Sequence, residues 1–187
     1  MTYKLKGRMS VVITGLIYTC VALITLITSW TAGLHRLDLG LTISEYIGLR
    51  SWTVAMYLIS AAVMVTLIFI FIRGSQIPKM RKVLYSVIFA CVFGCAMFPC
   101  NYERSRFATE VHNYFAIGLM LAVTISFVLF LIKGNNRKQK IFGLIGVCYA
   151  ALFICCYLVI DLESFSDTIL IWENMFIYLL LTELILE

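Results

Sequence analysis

The chain has 187 residues, 62 % of them apolar and 13 % charged, with a net charge of +5. Soluble domains run at about 45–50 % apolar and about 25 % charged, so this is the composition of a membrane protein, and the length allows one compact domain. Its basic residues flank apolar stretches instead of forming a stripe interleaved with aromatics, which argues against nucleic acid as a partner.

Six long apolar segments divide the chain. The first covers about residues 9–32 behind Lys4, Lys6 and Arg8. It exceeds the roughly 7–15-residue apolar core of a secretory signal, and Ser29-Trp30-Thr31-Ala32-Gly33 is a poor cleavage site, so it reads as a retained span. The connection after it carries Thr42-Ile43-Ser44-Glu45. This fits a capping box, in which a hydroxyl and a Glu three residues later satisfy the free amides of a helix start. The second segment, about 52–72, has no charge and is long enough to cross a hydrocarbon core of about 30 Å at about 1.5 Å per residue. The third, about 83–98, stops at Pro99, whose ring disfavours helical geometry in the residue before it. The fourth, about 109–132, carries Glu110 and His112 in its first turns, and the fifth covers about 141–160. The sixth, about 168–186, is interrupted by Glu173 and Glu183. Glu173 lies about one turn from the start, where an acid is favourable near a helix amino terminus. An interfacial amphipathic helix competes with a sixth span, but five spans would put the two termini on opposite sides.

Charge supplies the orientation. Of fifteen Lys and Arg residues, Lys4, Lys6, Arg8, Arg73, Lys79, Arg81, Lys82, Lys133, Arg137, Lys138 and Lys140 sit before the first segment or after the second and fourth. Short loops rich in Lys and Arg stay cytoplasmic. The expected fold is therefore all-α: a single-domain, polytopic six-transmembrane-helix bundle over residues 1–187, in the cell membrane with N and C termini cytoplasmic. The basic loops read as topology signals and contacts to anionic lipids.

Small residues mark helix contacts within the bundle. Gly118, Ala122 and Ser126 recur at every fourth position of the fourth span, and Gly143 with Val147, or Gly146 with Ala150, forms a smooth face on the fifth. Such faces also allow oligomerisation. No pair of spans is broken by Gly or Pro in matching positions of two halves, which counts against a secondary transporter. Seven cysteines include no C-x-x-C pair, which disfavours a thiol oxidase. Six lie in spans and behave as small apolar residues, leaving Cys100 as the one placed to react.

The orientation sorts the polar groups onto one outer face. The first outer connection holds His35, Arg36, Asp38, Ser44, Glu45 and Arg50; the second holds Asn101, Glu103, Arg104 and Arg106, followed by Glu110 and His112; the third holds Asp161, Glu163 and Asp167, with Glu173 just beneath. His112 enters an apolar helix, and ionisable groups within spans are functional candidates by default. The candidate ligand-binding residues are Ser44, Glu45, Arg50, Asn101, Arg104, Arg106, Glu110, His112, Asp161 and Glu173. The bland alternative is that they pair with one another and tie the loops together.

Leu41-Thr42-Ile43-Ser44-Glu45-Tyr46-Ile47-Gly48, and Gly94-x-x-x-Phe98-Pro99 followed by His112, resemble the six-helix membrane family filed as domain of unknown function 998. That family neighbours the fibroblast-growth-factor-receptor-activating and autophagy-modulating membrane proteins. The resemblance implies the six-helix layout and brings no established activity. Asn101 stands where the family's pattern has an acid.

Three function classes follow. The arginine fork suits phosphate and carboxylate, so an outward pocket for a lipid head group or a small anionic ligand is the favoured reading, with membrane lipids as the partners. A metal-dependent lipid hydrolase needs about three protein ligands and an open position; His35, His112 and Asp161 satisfy the count, but no short-range motif supports them. A transporter or channel needs polar groups deep in the spans, and the middles of the first, second, third and fifth offer only Thr, Ser, Tyr and Cys. A helix-interaction or regulatory role is a further alternative. No cofactor is expected: haem would need histidines facing each other inside the bundle, whereas His35 lies in a loop and His112 in an outer turn.

Overall fold

A computed structural model describes residues 2–31, 43–48, 50–98, 100–101, 105–156 and 169–187, with the side chains of 2–6, 29–31 and 44 excepted. Among these residues there are seven helices and no strand. They are α1 (Thr2–Thr31), α2 (Ile43–Gly48), α3 (Ser51–Gly74), α4 (Lys79–Met97), α5 (Arg106–Lys133), α6 (Arg137–Ile154) and α7 (Ile169–Leu186). Five are long and apolar enough to cross a membrane: the Gly7–Thr28 part of α1, and α3, α4, α5 and α7. α6 is the exception, because Arg137, Lys138 and Lys140 occupy its first turn. Residues 157–160, the end of the expected fifth span, lie outside the described residues, as do His35, Thr42, Pro99, Glu103, Arg104 and Asp161.

Helix starts explain where the elements depart from the expected bounds. α4 begins four residues early, because Pro78 precedes it in an extended conformation and proline's fixed φ suits the entrance to a helix. α5 begins at Arg106 because the Ser105 hydroxyl accepts the Ala108 amide at 3.2 Å. At α6 the Asn136 side chain accepts the Gln139 amide at 2.9 Å. Caps of this kind are each worth about 1 kcal/mol.

The six long helices form a closed ring in the order α1, α3, α4, α5, α6, α7 and back to α1, and α2 packs against α1, α3 and α7. The long neighbours run antiparallel. Gly94 meets Phe115 and Gly118 meets Cys91 across α4 and α5; Gln139 meets Leu186 and Tyr149 meets Trp172 across α6 and α7. One end of the ring therefore gathers the basic starts of α4 and α6 with the ends of α3, α5 and α7. The opposite end gathers α2 with the starts of α3, α5 and α7.

Inside, Phe127 lies at the centre, edge-on to Phe142 (6.1 Å) and Phe176 (6.0 Å), among buried Ile68, Tyr85, Ile88, Val123, Leu180 and Leu184. Outside, the surface is apolar: Leu16, Ile59, Leu121 and Ile132 are all more than half exposed. An apolar exterior on this scale marks a surface that meets lipid. The small-residue faces do what their spacing implies. Ala122 and Ser126 are buried. A methyl group added at Gly143 would lie 2.4 Å from the Leu131 amide nitrogen, and one at Gly146 2.4 Å from the Phe127 ring, so α6 touches α5 backbone to backbone at Gly143 and backbone to side chain at Gly146.

Candidate functional site

Two polar regions occupy the two ends of the ring. At the α2 end, a six-residue helix is folded into the bundle with Ile43, Tyr46, Ile47 and Gly48 buried. A helix this short has almost no internal hydrogen bonds, and its free amides and carbonyls need outside partners. They come from three other elements. The Glu173 carboxylate of α7 accepts the Ile43 amide at 3.0 Å, the Thr53 hydroxyl of α3 donates to the Ile47 carbonyl at 2.7 Å, and the Asn101 side-chain amide donates to the Gly48 carbonyl at 2.9 Å. The glycine is required there: a Cβ at position 48 would fall 2.3 Å from the Cys100 carbonyl oxygen. Within the described residues, Glu173 serves the start of α2; Thr42, the hydroxyl half of the expected capping box, lies outside them.

His112 is buried, and its Nδ1 lies 2.7 Å from the Phe98 carbonyl and 3.0 Å from the Cys95 carbonyl. Carbonyl oxygens only accept, so Nδ1 carries a proton and donates. His112 thereby holds the last carbonyls of α4, which have no intrahelical donor, against α5. Thr109 supports the same junction by accepting the Asn101 amide at 3.0 Å. Cys100 is buried, not exposed. Burial first, and then the negative charges of Glu45 and Glu173, push its thiol up to about 11, which keeps it a neutral, weakly reactive thiol at physiological pH. The expectation of a reactive Cys100 is corrected accordingly.

The remaining sequence candidates separate. Glu45 is half-buried in α2, and Arg50, also half-buried, precedes α3. Ser44 lies in α2. Arg106 and Glu110 form an exposed pair at 2.9 Å, on the opposite side of α5's first turns from buried His112. Exposed pairs of this sort contribute about 0–1 kcal/mol. Glu45, Glu173 and Cys100 come within electrostatic reach of one another, whereas Arg106 and Glu110 stay outside that cluster. Among the described residues no three His, Cys, Asp or Glu side chains converge as a metal site would require.

The second region, at the basic end, was not among the sequence candidates. Arg81 is a buried residue at 4 % exposure. Its guanidinium donates to the Glu187 carboxylate at 2.5 Å and to the Leu129 carbonyl at 3.3 Å, and lies 4.7 Å from the centre of the Phe130 ring. One turn along α4, the Tyr85 hydroxyl donates to Glu183 at 2.9 Å and lies 3.3 Å from Glu187. Glu183 is fully buried; its Oε1 also accepts the Ser126 hydroxyl at 2.5 Å. Its Oε2 is buried with no hydrogen-bond partner among the described residues. Gln139 of α6 closes the end by donating to the Leu186 carbonyl at 2.9 Å. Two signals in the sequence pointed here: Arg81 with Tyr85, and Glu183 with Glu187, are each spaced i,i+4 and so share a helix face.

Arg81, Tyr85, Ser126, Glu183 and Glu187 bolt α4, α5 and the end of α7 together. Buried ionic groups of this kind are costly to bring out of water and costlier to break. No family model matches this chain, and no curated protein or solved structure matches it.

Proposed function

We propose that this chain is a six-span integral membrane protein of the cell membrane, with both termini cytoplasmic, and that its outward α2 end binds a lipid head group. In this reading α6 belongs to the fifth of the six crossings, and the likeness to the domain of unknown function 998 layout belongs to the same proposal. The observation that carries it is the meeting of two carboxylates at α2, Glu45 from α2 itself and Glu173 from α7, within electrostatic reach of each other; Arg50 immediately precedes α3 at the same end. A guanidinium fork suits a phosphate, and two carboxylates suit an amine or hydroxyl on the same head group. The apolar ring wall beneath suits an acyl chain.

Lipid mass spectrometry with elemental analysis on protein purified in mild detergent tests this. The wild type is expected to retain a phospholipid that Arg50→Gln and Glu45→Ala lose. An unchanged lipid complement in both variants refutes the site, and a metal lost on His112→Ala and Glu45→Ala would establish the hydrolase instead. Reporter fusions between residues 102 and 104 test the orientation; a cytoplasmic signal there defeats it.

A second reading has an observation of its own. His112, Asn101, Thr53 and Thr109 each make a hydrogen bond to backbone at the α2 end, which is what a protein acting through helix contacts would need. It predicts that Glu45 and Arg50 tolerate substitution with activity of the partner unchanged.

A further inference from the structure

α3 and α4 do not close completely against each other. Between them lies a groove of about 220 Å³ lined by Val65, Ile68, Phe69, Ile72, Ser86, Phe89, Ala90 and Phe93. Its two walls are i, i+3, i+4, i+7 stripes on antiparallel helices, so it runs along both for about 10 Å at about 1.5 Å per residue. Following the stripes toward the basic end gives a consistent pattern. Arg73 lies one turn beyond Phe69 on α3. Lys82 lies one turn before Ser86 on α4, and Lys79 nearly one turn further. Arg73 and Lys79 are exposed. Lys82 is held over the end of α3, its ammonium donating to the Ser75 carbonyl at 2.6 Å. Neither helix contains an acidic residue to neutralise them, and Glu183 and Glu187, at the same end of the ring, are turned inward to Tyr85, Ser126 and Arg81.

We infer that this groove is a binding site for an anionic phospholipid of the surrounding bilayer, with an acyl chain between α3 and α4 and the phosphate against Lys82, Lys79 and Arg73. The charge argues for the anionic class: three cations at the mouth of an apolar slot complement a phosphate carrying no compensating amine. The position argues for a lipid, because the slot opens to the apolar exterior of the ring, where Phe69 and Val83 are exposed, and ends where the charged residues begin. This site is distinct from the outer-end site proposed above and does not rest on it.

The test is retention of phosphatidylglycerol against phosphatidylcholine of identical acyl chains, measured by native mass spectrometry after exchange of both lipids onto the purified chain. The wild type is expected to prefer phosphatidylglycerol at least fivefold. The Lys79→Gln/Lys82→Gln variant is expected to lose that preference, and Ala90→Phe, which fills the groove and leaves every charge in place, to lose it as well. Arg50→Gln and Glu45→Ala, at the other end, are expected to leave it unchanged, which separates failure here from failure of the outer site. Equal retention of the two lipids by the wild type overturns the inference. So does loss in the lysine variant with Ala90→Phe at wild-type level, which marks surface attraction without a groove. Dissociation of a dimer by Ala90→Phe with lipid preference intact assigns the groove to a second copy of the chain and also overturns it. Both variants alter exposed or groove-lining side chains, and far-UV circular dichroism verifies that each retains the helical content of the wild type.

Discussion

Arg81→Met is the most informative single change, because the structure separates its consequences. The substitution preserves an unbranched side chain and removes the cation. It abolishes the ion pair to Glu187, the bond to the Leu129 carbonyl and the contact with the Phe130 face. The side chains of Arg81 and Glu187 are each 4 % exposed, so water cannot take over. A buried carboxylate remains without its cation, with only the Tyr85 hydroxyl at 3.3 Å beside it, and breaking a buried pair from one side costs about 3–5 kcal/mol. Replacing both partners avoids that penalty: Arg81→Met/Glu187→Met leaves the Tyr85, Glu183 and Ser126 bonds in place and is expected within about 1 kcal/mol of wild type. The interaction energy from the double-mutant cycle is then about 3 kcal/mol or more, in the range found for residues in one network. Reversible unfolding in mixed micelles, followed by circular dichroism against the mole fraction of denaturing detergent, measures all four species. A cost below about 1 kcal/mol for Arg81→Met, as for a solvated pair, or a double variant equal to the sum of the singles, refutes the burial argument.

Other predictions test the packing and the α2 end. In the glycine series, Gly15→Ala is expected to be neutral, since its methyl meets the Leu181 side chain at 3.5 Å, whereas Gly143→Ala is expected to destabilise, since its methyl would meet the Leu131 backbone at 2.4 Å. Overpacking of this kind costs about 1–3 kcal/mol. Gly94→Ala meets the Phe115 ring at 2.5 Å, so Phe115→Leu is expected to rescue it while leaving Gly143→Ala unrescued; the same unfolding assay reads both. His112→Ala strips a donor from the Phe98 and Cys95 carbonyls and is expected to cost about 1–3 kcal/mol, with faster amide hydrogen exchange confined to the end of α4 and the start of α5. In a variant with Cys100 as its single cysteine, alkylation is expected to accelerate about tenfold per pH unit through pH 9, because the thiol titrates only near about 11; a gain of only about threefold between pH 8 and pH 9, as for a free thiol of pKa about 8.5, contradicts this. The sign for stability follows: the unfolded thiol ionises first, so stability present below about pH 8.5 declines as pH rises toward 11. Glu45→Gln removes one of the negative charges and is expected to speed the alkylation.

Much of the architecture was legible because hydropathy and charge act locally. Each apolar segment of the expected kind is a helix in the described residues, and Gly143 and Gly146 sit at a close helix contact as their spacing implied. The helices that start at Lys79 and Arg106 begin before the apolar run does, because Pro78 and the Ser105 cap set their starts. Of the candidates, Glu45 and Glu173 meet at the α2 end, whereas Arg106 and Glu110 pair apart from them. Composition could not show that His112 donates to α4 carbonyls or that Cys100 is buried, since both depend on which part of the chain passes nearby.

The chain's own residues thus determined its medium, its helices and the clustering of basic residues at one end. These follow from the transfer free energy of side chains, a property each residue carries wherever it sits. Tertiary structure alone decided which way those helices are turned. Arg81 and Lys82 are neighbours in one basic run, yet Arg81 faces Glu187 inside the ring while Lys82 reaches the end of α3 beside an apolar groove. A rotation of about 100° per residue separates them, and the packing of α4 against α5 and α7 sets that rotation.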